Sequence, residues 1–221
     1  MRARCGITIS GLLCLFFIIY PNIDIFYSKL LYNNYSNNYY NLLKLIFNSV
    51  NIAVIVNYVG CIVFIFYNKF QLNKKILYII VAGLLGPGLI VNGCLKEYIG
   101  RARPKEIIEF CGTKKFTKPF ALANQCTTNC SFPSGHAAFA YYLTVWSAIF
   151  DHKRKNVIFL LFIMFGTIVG IGRVMQGGHF ISDVVAACFI ILVVNKVLLN
   201  LLKLQNNDFK KLNLQNEQYR S

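Results

Sequence analysis

The chain has 221 residues, of which 56% are hydrophobic and only 14% are charged, and its mean hydropathy is +0.51. A soluble domain carries about 25% charged residues, and here the apolar residues stand in long blocks. These features exclude an ordinary soluble domain and predict an integral membrane protein. The formal net charge is +15, but the basic residues form no single tract, which argues against nucleic acid as a partner.

Six apolar segments approach the length of about 20 residues that a helix needs to cross a bilayer. We therefore predict an all-α fold, a single-domain membrane bundle of about six transmembrane helices that takes in the whole chain, residues 1–221. The predicted spans are residues 7–20, 50–67, 76–94, 134–150, 157–172 and 184–202.

The first span has the basic start and apolar core of a secretory signal, but Pro21, Asn22 and Asp24 follow where a small-residue cleavage site would stand. We therefore predict an uncleaved signal anchor. Residues 27–41 are rich in Tyr and Asn and too polar to span, so they are predicted to connect helices at the membrane interface. Gly166 and Gly170 lie four apart in the fifth span, a spacing that favours close helix packing.

Six spans place the connections alternately on two sides of the membrane. The N-terminus, the 68–75 and 151–156 loops and the C-terminal tail share one side and are rich in Lys and Arg, which is typical of the cytoplasmic side. The segments 21–49, 95–133 and 173–183 are therefore predicted to face outward. Segment 95–133 is basic too, against this trend, which favours an anionic substrate; for Lys114, Lys115 and Lys118 a merely solvated basic loop explains the charge equally well.

Three clusters of chemically active residues fall in the outward segments. They are Lys96 with Arg103-Pro104, then Pro133-Ser134-Gly135-His136, and then Arg173 with His179 and Asp183. Phosphoryl transfer needs positive charge around the phosphoryl oxygens, an in-line nucleophile and an acid for the leaving oxygen. Lys96, Arg103 and Arg173 can supply that charge, and the planar fork of arginine binds two phosphate oxygens at once.

The backbone around these clusters also suits a phosphate. Pro104 disfavours helix at Arg103, so the third span is predicted to end there. Ser134 can cap the fourth span, whose first N–H groups are free to bind a phosphate. Gly135 lets the backbone come close to the ligand.

The histidines divide the chemistry between them. His179 and Asp183 are four residues apart, so they share one helix face if the sixth span begins there. A carboxylate can hold an imidazole in one tautomer and stabilise its charged form, which makes His179 the better nucleophile. His136 has no such partner nearby in sequence and is the better proton donor. The third histidine, His152, lies among the cytoplasmic charges and is predicted to be an ordinary surface residue.

In order and spacing, the three clusters resemble the signature motifs of the type 2 phosphatidic acid phosphatase superfamily. The resemblance implies that His179 attacks phosphorus to form a phosphohistidine, that Asp183 orients it, and that His136 protonates the leaving oxygen. It implies further that the phosphoryl oxygens are held, without metal or cofactor, by Lys96, Arg103, Ser134, Gly135 and Arg173. The family usually has Ser where this chain has Gly172, which removes a possible hydroxyl contact to the phosphate.

The superfamily contains lipid phosphatases and soluble vanadium-dependent haloperoxidases, and the apolar spans favour a lipid phosphatase acting on a phosphorylated membrane lipid. Residues 172–180, the Gly86-Pro87-Gly88 turn and Asn92 resemble bacterial lipid A phosphatases, which implies a bacterial inner membrane and a periplasmic active site. Isoprenyl pyrophosphate and phosphatidylglycerophosphate remain alternative substrates. A lipid-to-lipid phosphotransferase and a non-enzymatic phospholipid-binding or transport protein remain alternative functions.

Three of the eight cysteines, Cys111, Cys126 and Cys130, lie in the outward 95–133 segment. In an oxidising compartment one disulfide among them is expected, although the sequence leaves the pair open. A zinc site is disfavoured because no histidine stands at ligand spacing near them.

Overall fold

The computed structural model describes residues 2–33, 40–67, 73–150 and 152–204. Within these ranges the regular elements are all helices. They are α1 (Arg2–Ile19), α2 (Asn22–Asn33), α3 (Tyr40–Tyr67), α4 (Lys74–Gly83), α5 (Lys96–Ile99), α6 (Gly135–Tyr142), α7 (His152–Met175) and α8 (Ile181–Leu201). Most of the predicted 68–75 loop and of the C-terminal tail lies outside the described residues.

Among the described residues, four helical segments are long and apolar enough to cross a membrane: Asn41–Tyr67, Lys74–Glu106, Arg154–Met175 and Ile181–Leu201. A fifth arises if α1 and α2, bent by 101° at Pro21, count as one broken span. The helical membrane bundle is therefore confirmed, whereas the count of about six is not. The predicted fourth span contains only α6, of 8 residues, and a 3₁₀ helix of 6 residues, Leu143–Ala148. Together they rise roughly 24 Å, less than the roughly 30 Å of a bilayer core.

The segment predicted as an interfacial connection, residues 27–41, is partly helical. Helix α2 takes up its first part, and α3 begins at Tyr40, well before the predicted start of the second span at residue 50. The polar pattern concealed α2 because its polar groups face the protein: Asp24 and Ser28 are both fully buried.

The third span runs without a break through Pro87, because residues Leu84–Leu95 form a π-helix. Proline disrupts the usual hydrogen-bond ladder, and here the side chain of Asn92 donates to the Pro87 carbonyl at 2.7 Å. The continuous helix ends at Ile99, earlier than the predicted end at Arg103, and Pro104–Glu106 of the same segment form a separate 3₁₀ helix. Gly100 adopts the left-handed conformation (φ 64°) that closes helices, and any β-carbon there would overlap the Ala123 carbonyl.

Helix α8 lies at the centre of the bundle, against α1, α6 and α7. The predicted close packing at Gly166 and Gly170 is confirmed: a β-carbon would overlap Tyr141 of α6 at the first position and Val184 of α8 at the second. Helix α7 thus approaches both neighbours closely, which brings Arg173 at its end beside the starts of α6 and α8.

A buried polar network ties α3 to the bundle. Asn57 donates to the hydroxyl of Tyr142 at 2.9 Å and accepts from the indole N–H of Trp146 at 2.9 Å. The Tyr142 hydroxyl in turn donates to the Ile79 carbonyl at 2.8 Å. Three separate helical segments therefore meet at one amide side chain.

We expect Asn57→Leu to lower the midpoint of thermal unfolding in detergent. The change leaves the Trp146 indole N–H without its acceptor, and an unsatisfied buried donor costs about 1–3 kcal/mol. Asn51→Leu, on the exposed side of the same helix, is the matched control and should leave the midpoint unchanged. Equal midpoints for the two variants would show that the network does not stabilise the fold.

Candidate active site

The sequence between α7 and α8 places His179 in a short buried turn. Gly177 takes the left-handed conformation (φ 61°), and His179 is only 1% exposed. Its Nδ1 lies 2.6 Å from the backbone carbonyl of Ser131. A carbonyl only accepts hydrogen bonds, so Nδ1 carries the proton and Nε2 keeps the lone pair of a nucleophile.

Asp183 lies in the first turn of α8 and is fully buried. Its carboxylate accepts hydrogen bonds from the Ser131 hydroxyl at 2.5 Å, the Phe180 N–H at 2.8 Å and an arginine of the outward segment, Arg101, at 2.5 Å. The distance from Asp183 Oδ2 to His179 Nδ1 is 3.7 Å, too long for a hydrogen bond.

The predicted His179–Asp183 pair is therefore close but indirect. Because α8 begins at Ile181, His179 precedes the helix and does not share its face with Asp183. Ser131 stands between them: its carbonyl binds the imidazole, and its hydroxyl binds the carboxylate. Asp183 thus acts on His179 through its charge and through the position of Ser131.

His136, the second residue of α6, is half-buried and meets the ring of Phe47 edge to face, with 5.6 Å between centroids. Burial, and then the charges of Arg173, His179, Lys96 and Arg103, lower the pKa of His136 to about 4. Burial likewise lowers the pKa of His179 to about 4, opposed by Asp183. Both imidazoles are therefore neutral at pH 7 in the free protein.

The three predicted phosphate-binding cations converge. Lys96, Arg103 and Arg173 lie close enough for their charges to act on one another. Arg103 donates to the Asn129 carbonyl at 2.7 Å, and Arg173 donates to the Gln176 side chain at 2.7 Å. Like charges held together in a partly buried space favour a polyanionic ligand.

Two buried polar atoms of this cluster, the Ser134 hydroxyl and Arg173 Nε, have no hydrogen-bond partner among the residues that the structure describes. Buried polar groups are nearly always satisfied, so both fit contacts to phosphoryl oxygens. The predicted capping bond of Ser134 is wrong: Ser134 occupies the N-cap position of α6, but its hydroxyl makes no capping bond. At Gly135 a β-carbon would overlap Oδ1 of Asn92, so any larger residue would displace the Asn92 side chain.

Gly172 faces α3 in this structure. A β-carbon there would lie 2.9 Å from Leu43 Cδ2 and 3.4 Å from the Phe47 ring. The glycine lets Phe47 approach the guanidinium of Arg173, whose Cζ lies 5.1 Å from the ring centroid, within cation–π range. Phe47 therefore contacts two predicted site residues, Arg173 and His136.

Sequence reasoning missed four residues of the site: Asp24, Phe47, Arg101 and Ser131. Asp24 carried a usable signal, since an acidic residue in an apolar hairpin is costly and commonly functional. Arg101 lies two residues before Arg103, and the sequence distinguishes it from the other basic residues of segment 95–133 by no further signal. Phe47 and Ser131 carry no signal without coordinates.

Segment 95–133 contains a disulfide bond. It joins Cys126 to Cys130 and leaves Cys111 free and exposed. Its loop holds Asn129, the residue whose carbonyl accepts from Arg103. Lys114 pairs with Glu106 at 3.0 Å on the surface. Within the described ranges, no three His, Cys, Asp or Glu side chains come together as ligands for a metal ion.

A helical membrane bundle that gathers two histidines, a carboxylate and three cations defines an integral membrane phosphatase by class. The family model of the PAP2 superfamily matches residues 75–206. The chain belongs to this superfamily, which confirms the predicted family.

Several relatives of this chain are named as phosphatases of membrane lipids. The chain is 32% identical over 194 residues to a lipid A 4'-phosphatase of Francisella tularensis subsp. novicida, covering 81% of this chain and 86% of the relative. It is 35% identical over 124 residues to a lipid A 4'-phosphatase of Rhizobium leguminosarum, covering 56% and 53%. Phosphatidylglycerophosphatase B of Bacillus subtilis is 33% identical over 109 residues, covering 46% of each chain.

The fold has a solved counterpart in the transmembrane PAP2 type phosphatidylglycerolphosphate phosphatase of Bacillus subtilis. The two superpose with a TM-score of 0.63 at 20% identity, over 89% of this chain and 95% of that one. At this identity the likeness concerns the fold alone. Family and relatives together establish a membrane lipid phosphatase, a hydrolase of phosphoric esters, as predicted.

The lowered histidine pKa values predict that acid destabilises the fold. An unfolded histidine takes up a proton near pH 6.5, whereas His136 and His179 resist it until about pH 4. The contribution of these histidines to the free energy of unfolding is therefore fully present above pH 6.5. It falls between pH 6.5 and about 4, where the unfolded chain binds more protons than the folded protein. Thermal unfolding in detergent across this range should have a steeper pH dependence in the unmodified protein than in the double variant His136→Gln/His179→Gln. Parallel curves would contradict the two pKa shifts.

Proposed function

We propose that this chain removes phosphate from a phosphorylated glycolipid of the lipid A type through a phosphohistidine at His179. The observation that carries the substrate is the Francisella relative, named a lipid A 4'-phosphatase, of which 86% is covered. The observation that carries the chemistry is the convergence of Lys96, Arg103 and Arg173 on two neutral histidines.

In the first step the three cations, the Ser134 hydroxyl and the Gly135 N–H hold the phosphoryl oxygens. Nε2 of His179 attacks phosphorus, and the bond from phosphorus to the lipid oxygen breaks. The departing electron pair goes to that oxygen, which takes a proton from His136. The negative charge of Asp183 stabilises the positive charge that develops on the His179 ring.

In the second step His136, now neutral, takes a proton from a water molecule. The water oxygen attacks phosphorus, the bond from phosphorus to His179 breaks, and inorganic phosphate leaves. Both steps use the same two side chains: His136 changes from acid to base, and His179 changes from nucleophile to leaving group.

The acid role of His136 requires a proton that the free protein does not hold at pH 7. Nearby cations help keep the pKa of His136 at about 4. A bound dianionic phosphate neutralises these cations and raises the pKa of His136. Substrate binding itself thus supplies the conditions under which His136 becomes a proton donor.

We place the active site on the periplasmic face of a bacterial inner membrane, in a single domain spanning residues 1–221. The helical segment Lys74–Glu106 carries Lys74 and Lys75 at one end and Lys96 towards the other. Helix α7 likewise has Arg154 and Lys155 near its start and Arg173 at its end. Basic ends opposite the site suit the cytoplasmic side, and the Cys126–Cys130 disulfide suits an oxidising compartment.

Phosphatidylglycerophosphate is the second candidate substrate, because phosphatidylglycerophosphatase B of Bacillus subtilis is 33% identical over part of the chain. No observation favours isoprenyl pyrophosphate or a lipid-to-lipid phosphotransferase. The non-enzymatic alternative is not retained, since the family and the relatives are phosphatases. Independence from metal and cofactors stays a prediction.

The test is phosphate release by the detergent-purified protein, with a chelator present, from lipid A, phosphatidylglycerophosphate and an isoprenyl pyrophosphate. We expect lipid A to be preferred, and His179→Ala and His136→Ala each to lower kcat by about 10³-fold or more. His152→Ala is the matched control and should retain full activity.

Each result has a separate meaning. With a substrate labelled on its phosphate, acid-labile label on the unmodified protein that is absent from His179→Ala would support the phosphohistidine. Label transferred to a second lipid would indicate a phosphotransferase. Full activity of His179→Ala would contradict the proposed mechanism. Faster release from another lipid would identify that lipid as the substrate instead.

A further inference from the structure

Arg101 links the candidate active site to helix α2. Its guanidinium is fully buried and donates to Asp183 Oδ1 at 2.5 Å, to the Ser182 hydroxyl at 2.8 Å and to Asp24 Oδ2 at 2.9 Å. The Nε–H donates to the Thr117 carbonyl at 2.9 Å. One cation is thus shared between a carboxylate of α2 and the predicted catalytic carboxylate of α8.

Asp24 of α2 binds the first turn of α8 through two hydrogen bonds from Ser182. Its Oδ1 accepts from the backbone N–H of Ser182 at 2.9 Å, and its Oδ2 accepts from the Ser182 hydroxyl. Ser182 precedes Asp183 directly, so α2 anchors the turn that carries the catalytic carboxylate. A negative charge at this helix terminus is also favourable. Asp24 lies outside residues 75–206, the part of the chain that the superfamily matches.

The backbone of Arg101 makes a second connection. Its carbonyl accepts from the N–H of Ser131 at 2.8 Å, and the carbonyl of Ser131 accepts from Nδ1 of His179. Arg101 therefore fixes Asp183 through its side chain and the support of His179 through its main chain.

We propose that Asp24 and Arg101 are positioning residues of the phosphatase site, which fix the carboxylate of Asp183 and set the negative field that it exerts on His179. This inference rests on the proposed roles of His179 and Asp183. Neither Asp24 nor Arg101 touches the phosphate; both act through Asp183 and Ser131.

The proposal makes a signed prediction about charge. Asp24, Arg101 and Asp183 together carry one net negative charge. The other charged or titratable groups that act on His179 are Arg173 and Lys96, and His136 is also near. Arg101→Gln makes the cluster more negative and should raise the pKa of His179, whereas Asp24→Asn makes it neutral and should lower it.

The experiment compares Asp24→Asn, Arg101→Gln and the double variant, with Lys75→Gln as control. Lys75 is exposed and lies at the end of the segment Lys74–Glu106 that is opposite Lys96, so Lys75→Gln should behave as the unmodified protein. We expect kcat to fall about 10- to 100-fold in both single variants, with KM changed less than about twofold, because a displaced carboxylate costs turnover more than binding.

The protonation of His179 is read directly by NMR of histidine carbon-13 in the free protein, with the resonance assigned by its loss in His179→Gln. The midpoint should move up in Arg101→Gln, move down in Asp24→Asn and return close to its original value in the double variant. A merely structural role would move both single variants in the same direction or neither.

The outcomes separate this inference from the proposed function. An inactive His179→Ala together with normal kcat and unmoved midpoints in Asp24→Asn and Arg101→Gln would overturn only the positioning role. An active His179→Ala would overturn the mechanism on which it rests. If Arg101→Gln does not fold, the kcat and midpoint of Asp24→Asn decide the matter alone.

Discussion

The ion pairs of Arg101 are the constraint on which the rest of the site depends. A buried arginine is tolerated only where carboxylates and carbonyls satisfy it, and here those groups come from α2, segment 95–133 and α8. The bonds of this one cation fix the positions of α2 and of the start of α8. Asp183 cannot shift without leaving a buried charge unpaired, so the position of His179 follows from a requirement of electrostatics.

The motif residues could be predicted from sequence because phosphoryl chemistry demands particular side chains at particular spacings. The structure brings Lys96, Arg103, Ser134, Gly135, His136, Arg173, His179 and Asp183 into one region, although their catalytic roles stay a prediction. Their mutual contacts could not be predicted: the pairing of His179 with Asp183 seemed direct from a spacing of four residues, whereas helix α8 begins too late for it. The disulfide pair also required coordinates, because three cysteines in one segment allow three pairings.

The helices were predictable where apolar residues form long runs, as in α3, α7 and α8. Prediction failed where the protein interior replaced lipid as the environment. Helix α2 has the polar composition of a connection because Asp24 and Ser28 are buried in the protein, and α6 has the apolar composition of a span because it packs against α7 and α8. Hydropathy reports that a side chain avoids water, and it does not distinguish lipid from protein.

Helix α3 has a further consequence for the enzyme in its natural setting. Only 17% of its most apolar stretch is buried in the protein, against 33–44% for the other three spans, yet its Phe47 contacts both Arg173 and His136. We therefore expect lipid to be the main neighbour of α3, the helix whose Phe47 contacts two residues of the candidate site. We therefore expect bilayer thickness and acyl-chain order to influence turnover through α3.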